Sequence, residues 1–100
     1  MNIYKHYEDG GHSWLEVAKA ELKEMGILDK ITAFSYEKGS YLYLEEDCDL
    51  GTFLQAKFNY TEYNPEVAPK IKNFFEQQTD RIYHDQSPVR NYKHYTGGKE

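Results

Sequence analysis

Glu45-Glu46-Asp47-Cys48-Asp49 places four carboxylates in five consecutive residues of this 100-residue chain. Carboxylates at that density can do two things. They can accept the free N–H groups of a helix that starts there, or they can present a negative surface that draws in a basic partner. Both uses are open for this run. A second group of residues lies in Asp9-Gly10-Gly11-His12-Ser13-Trp14. An imidazole on a glycine-rich turn, beside a carboxylate and an indole, could meet a small ligand. That alternative is a small enzyme or a ligand- or metal-binding domain centred on Asp9, His12 and Trp14. His6 would flank the same turn, yet spacing marks no third ligand, so no metal is expected.

Other chemistry is weaker. Cys48 is the only cysteine, and the carboxylates around it disfavour the thiolate that a nucleophile requires. Tyr83, Tyr92 and Tyr95 alternate with Arg81, Arg90 and Lys93, an arrangement that could stack bases and pair phosphates. Residues 81–95 carry only three bases against one acid, so protein contact is expected there and direct nucleic-acid binding is not. No nucleophile elbow, phosphate-binding loop, dinucleotide fingerprint or zinc-protease motif occurs. The reading is therefore non-enzymatic, without catalytic residues or cofactors.

These residues need elements to position them. Residues 2–7 read as a short strand. Glu8-Asp9-Gly10-Gly11 follows as a tight connection, its glycines supplying positive φ. Ser13–Val17 either returns as a strand or opens the next helix. Leu15, Ala18, Leu22 and Met25 share one helical face, and Gly26 is placed to cap it. Residues 31–37 and 41–45 alternate as a hairpin around Lys38-Gly39-Ser40, with Leu42 and Leu44 on one face and Tyr41 and Tyr43 on the other. Asp47 or Asp49 can cap a helix whose buried side is Leu50, Phe53, Leu54 and Lys57 or Phe58. A further helix begins near Asn64-Pro65-Glu66 with the stripe Val67, Ile71, Phe74, Phe75 and Gln78, and Pro69 falls in its first turn. Arg81–His84 adds an edge strand. The expected class is α+β: a small antiparallel sheet of two hairpins, with two or three helices on one face. One domain spans 1–95, and 96–100 is a flexible tail.

Charge divides unevenly. Residues 1–50 hold 11 acids and 5 bases, net −6; residues 51–100 hold 6 acids and 7 bases, net +1. Ten tyrosines, five phenylalanines and one tryptophan supply the large side chains that let so polar a chain fold. No apolar run is long enough to span a membrane and no signal-peptide layout opens the chain, so a soluble cytoplasmic protein is expected. Tyrosines beyond what a small core can bury also allow a homodimer.

Two stretches together resemble a family. Gly11-His12-Ser13-Trp14-Leu15-Glu16-Val17 precedes Tyr43-Leu44-Glu45-Glu46-Asp47-Cys48-Asp49, and the pair is similar to small uncharacterised proteins of phages and plasmids with GHxWLxV and YLEEDCD motifs. The likeness spans about residues 3–56 and includes Ile31–Tyr36; Ser87–Tyr92 is similar too, and 59–80 has no counterpart. It implies a mobile-element setting and hence the cytoplasm of a bacterial host cell; small acidic proteins from such elements are often accessory factors, including inhibitors of host defence complexes. The expected function is an accessory binding protein. Its surface of Tyr41, Tyr43, Glu45, Glu46, Asp47 and Asp49 would meet a basic site on a host protein, with inhibition of a defence or nucleic-acid-processing complex as the implied outcome.

Overall fold

The computed structural model describes residues 3–97. Strands β1 (Tyr4–Glu8) and β2 (Ser13–Ala18) form one hairpin; β3 (Tyr36–Lys38) and β4 (Tyr41–Glu45) form another. Helix α1 (Lys19–Glu24) follows β2, and helices α2 (Asp49–Phe58) and α3 (Ala68–Gln77) follow β4. Strand β5 (Thr79–Tyr83), a 3-10 turn at Pro88–Asn91 and the short β6 (Lys93–His94) complete the chain. The α+β class is as expected. The sheet is mixed, in the order β5-β1-β2-β4-β3-β6, because β5 leaves α3 running parallel to β1 while the other pairings are antiparallel. Among the described residues no helix is long and apolar enough to cross a membrane. Asn2 of the expected first strand and residues 98–100 of the expected tail lie outside the described residues.

The period of two sorts side chains onto two faces. On one, Leu15 and Val17 of β2 and Leu42 and Leu44 of β4 meet Leu22, Leu50, Phe53 and Phe74 from the three helices. Phe74 packs edge-on or tilted against Tyr4, Phe53, Phe58 and Phe75. The opposite face carries a second, smaller core of Trp14, Tyr43 and Val89, flanked by Tyr7, Tyr36 and Tyr92. Val89 reaches that face from the 3-10 turn after β5, so the sheet is covered on both sides.

Local expectations are refined in three places. Ser13–Ala18 is the return strand. The second hairpin loop is Gly39-Ser40, since Lys38 still pairs with Tyr41, and Gly39 takes a φ of +60°. Residues 32–35 form a turn instead of strand, because Asp49 draws the backbone N–H of Thr32 and the hydroxyl of Ser35 toward the start of α2.

Helix α1 ends on a pair of C-terminal bonds: Gly26 N–H donates to the Lys23 carbonyl and Ile27 N–H to the Leu22 carbonyl, both at 3.0 Å. Gly26 sits at φ +76° with open space around a notional Cβ, so the cost of a side chain there is backbone strain alone. Gly26→Ala should lose about 1 kcal/mol in a urea titration. An unchanged midpoint would show that the turn relaxes freely.

Candidate functional site

The strand register builds the site. Trp14 pairs with Glu45 across β2 and β4, Tyr36 pairs with Tyr43 across β3 and β4, and Tyr36 pairs with His94 across β3 and β6. Pairing partners point to the same face, so Trp14, Glu45, Tyr36 and His94 share the sheet surface opposite the helices. Their rings adjoin: Trp14 lies edge-on to Tyr36 at 6.1 Å, and Tyr36 lies 4.4 Å from His94. His94 Nδ1 is 2.7 Å from the Ala33 carbonyl oxygen, which can only accept. The next residue, Phe34, is 68% exposed. These rings, with His12, Glu45, Asp47, Cys48 and Arg90, line a cleft of about 540 Å³.

One lip of the cleft is acidic. His12 Nδ1 lies 3.6 Å from Glu45 Oε1 and 3.4 Å from Glu46 Oε1. Ser13 donates its hydroxyl to Glu46, and the Asp47 N–H donates to Glu45 Oε2. One donor atom from each of His12, Glu45, Glu46 and Asp47 lies within 4.8 Å of the others, a spacing that suits a cation. Burial pushes the Glu45 carboxyl up, and repulsion from Asp47 and Glu46 adds to this against the Asp47 N–H and His12. The sequence offers no spacing signal for this meeting, since 33 positions separate Ser13 from Glu46.

Asp9 does different work. Its side chain is 2% exposed. It accepts from the N–H groups of Gly11, His12 and Ser87, and from Arg90 Nε and Nη2 at 2.6 and 3.0 Å. The Arg90 hydrogen bonds hold its carboxyl far below the usual range against the opposing effect of burial, and the three N–H bonds add to them. All its acceptor capacity is committed, so it leaves the expected Asp9–His12–Trp14 ligand set. The loop also corrects the expectation of positive φ: neither Gly10 nor Gly11 takes the left-handed region. The Asp9 carboxylate shapes the turn instead. At Gly11 a Cβ would meet Arg90 Nη2 at 3.1 Å, so a glycine leaves room for that guanidinium. Arg90 then lies 5.3 Å over the Trp14 ring.

The expected contact surface divides. Glu46 and Asp47 are exposed beside half-buried Glu45. Tyr41 is exposed at the far end of β4, opposite Ala18, against a separate hollow with Ile3 and Glu21. Tyr43 is 4% exposed, covered by Tyr7, Tyr92 and Val89, with its hydroxyl on Glu16. Asp49 is fully buried. It does not cap α2; it accepts from Thr32 N–H, Thr32 Oγ1 and Ser35 Oγ, the last at 2.5 Å. Tyr43 and Asp49 are therefore interior residues, and the docking surface loses them. His6 packs on the helix-bearing side against Phe75, apart from His12. In the basic segment, Arg90 is held by Asp9, and Tyr92 is packed on Tyr43 beneath Lys38.

A slightly larger cleft, about 630 Å³, lies between Lys23, Leu28, Tyr95 and Gly97. Among the described residues it gathers no cluster of ionisable groups comparable to the acidic lip. Comparison with family models, with curated proteins and with solved structures finds no match to this chain.

Proposed function

We propose that this chain is a non-enzymatic binding protein of a phage or mobile element, docking its acidic lip on a basic site of a host protein. The observation that supports it is the convergence of Glu45, Glu46 and Asp47 beside an open cleft with an exposed Phe34. Among the described residues no lysine or arginine forms an ion pair with these three carboxylates. Apart from His12, beside Glu45 and Glu46, these carboxylates pair with no cationic side chain among the described residues, and the negative field would speed encounter with a basic surface. The mobile-element setting and inhibition of a defence or nucleic-acid-processing complex rest on the motif resemblance.

The test uses tagged protein in bacterial lysate. Glu46→Lys with Asp47→Lys reverses the two exposed charges while leaving Glu45 and its internal bonds in place. Recovery of a specific partner should fall at least about tenfold, as expected when rim and central charges oppose a basic site. Equal recovery by the variant would remove this lip from the interface.

A further inference from the structure

We propose that the cleft receives one arginine side chain of a protein partner, its guanidinium laid over Phe34 and Tyr36 and paired with Glu45 and Asp47. The inference rests on the reading of this chain as a protein-binding partner and names what the cleft recognises.

Three observations carry it. Phe34, 68% exposed, and half-buried Tyr36 line the cleft above the buried Trp14, and a planar cation gains from lying over such a ring within about 6 Å. The lip carries carboxylates that have no lysine or arginine partner among the described residues. Charge complementarity therefore asks for a cation, and the rings ask for a flat one. The third observation comes from the chain's own Arg90. It lies 5.3 Å over Trp14 and makes two bonds to Asp9. Stacking on an indole with a forked pair to a carboxylate is thus already built once into this wall. Asp9 matches that charge, so Arg90 leaves the carboxylates of the lip unneutralised.

Arginine is favoured over lysine on geometry. A guanidinium presents a rigid fork to a carboxylate and a flat face to a ring, whereas an ammonium is a compact, strongly hydrated point charge. A cavity of about 540 Å³ falls in the range that holds a side chain and the residues beside it. Phe34, at 68% exposure, gains the most by being covered.

The full chain, labelled with nitrogen-15, is titrated with a short uncharged glycine–serine peptide bearing one arginine. The same peptide with lysine, and with citrulline, gives the comparison. Trp14 is the only tryptophan and lies beneath the cleft, so its indole resonance and its fluorescence report changes there. The arginine peptide should shift Trp14, Phe34, Tyr36 and Asp47. Lysine should bind at least about fivefold more weakly and citrulline at least about tenfold. Phe34→Ala and Asp47→Asn, both at exposed positions, should each weaken arginine binding at least about threefold while leaving the remaining spectrum folded.

Equal binding of lysine and arginine would overturn the choice of guanidinium and leave a basic partner standing. Citrulline binding as well as arginine would overturn the charge argument. No shift with any peptide would overturn the inference outright, and the lysate experiment would then judge the basic-partner reading by itself. Zinc or magnesium shifting His12, Glu45, Glu46 and Asp47 where the arginine peptide has no effect would overturn it in favour of a metal occupant. Shifts that depend on protein concentration alone would do so in favour of a second copy of the chain.

Discussion

Asp49→Ala should lower the stability of this protein by about 3–4 kcal/mol, because it removes the acceptor at the centre of a buried network. The carboxylate is fully buried and takes the Thr32 N–H, the Thr32 hydroxyl and the Ser35 hydroxyl. Alanine leaves those donors without their partner, and the Ser35 hydroxyl among them is fully buried. A 100-residue domain of ordinary stability has about 5–15 kcal/mol in all, so the loss is a large fraction. The urea midpoint should fall with the slope unchanged. Asp49→Asn, which keeps the shape and one acceptor, should lose about half as much. An alanine variant with the wild-type midpoint would mean that the 32–35 turn finds other acceptors.

The same network reaches the cleft. Ser35 Oγ donates to Asp49 and accepts the N–H of Glu45 at 3.1 Å. Asp49 therefore sets the position of a residue on the acidic lip without touching any ligand. Asp49→Asn should also weaken arginine-peptide binding modestly, and Ser35→Ala should do the same.

Asp9→Asn should lower the melting temperature at pH 7 by about 5–10 °C, as expected for losing charge-assisted bonds in a domain of this size. The pH dependence is the sharper reading. The folded-state carboxyl is held far below its ordinary range, chiefly by Arg90. A depressed carboxyl stabilises the fold fully above the unfolded value of about 4 and loses that contribution as pH falls below it. Wild-type and variant stabilities should therefore differ most near neutrality and converge on acidification from about pH 5 to 2. A constant gap across that range would show that geometry alone, and not the charge, accounts for the variant's loss. Glu45 has the opposite sign: its carboxyl is raised, mainly by burial, so its ionisation opposes folding as pH rises through the ordinary glutamate range. The lip thus bears a cost that the Asp9 pair offsets nearby.

Much of the architecture is legible in the chain because it is written in local periods. The two hairpins, the caps at Gly26 and the helix faces of Leu50, Phe53, Val67 and Phe74 follow from spacing of two or of 3.6. What escapes is long-range. Asp47 and Asp49 are identical in type and two positions apart, yet one is exposed and the other fully buried. Their difference is decided by Thr32 and Ser35, which no local window contains. Tyr43 lies opposite the leucines as alternation requires, but Val89 comes back over it from far along the chain. The site has the same character. His12 and the Glu45–Asp47 run are each conspicuous in sequence, and only the register of β2 on β4 brings them together.

The path of residues 79–94 has a consequence for how the protein is made. β5 forms one edge of the sheet and β6 the other, and the turn at Pro88–Asn91 straps across the aromatic face between them. Asp9 waits 81 positions for Arg90. During synthesis, at about 5–20 residues per second, both hairpins and all three helices emerge before that strap does. For several seconds Trp14, Tyr36 and Tyr43 stand uncovered. A nascent chain halted near residue 78 should bind chaperones that favour aromatic surfaces, and one released after residue 94 should not.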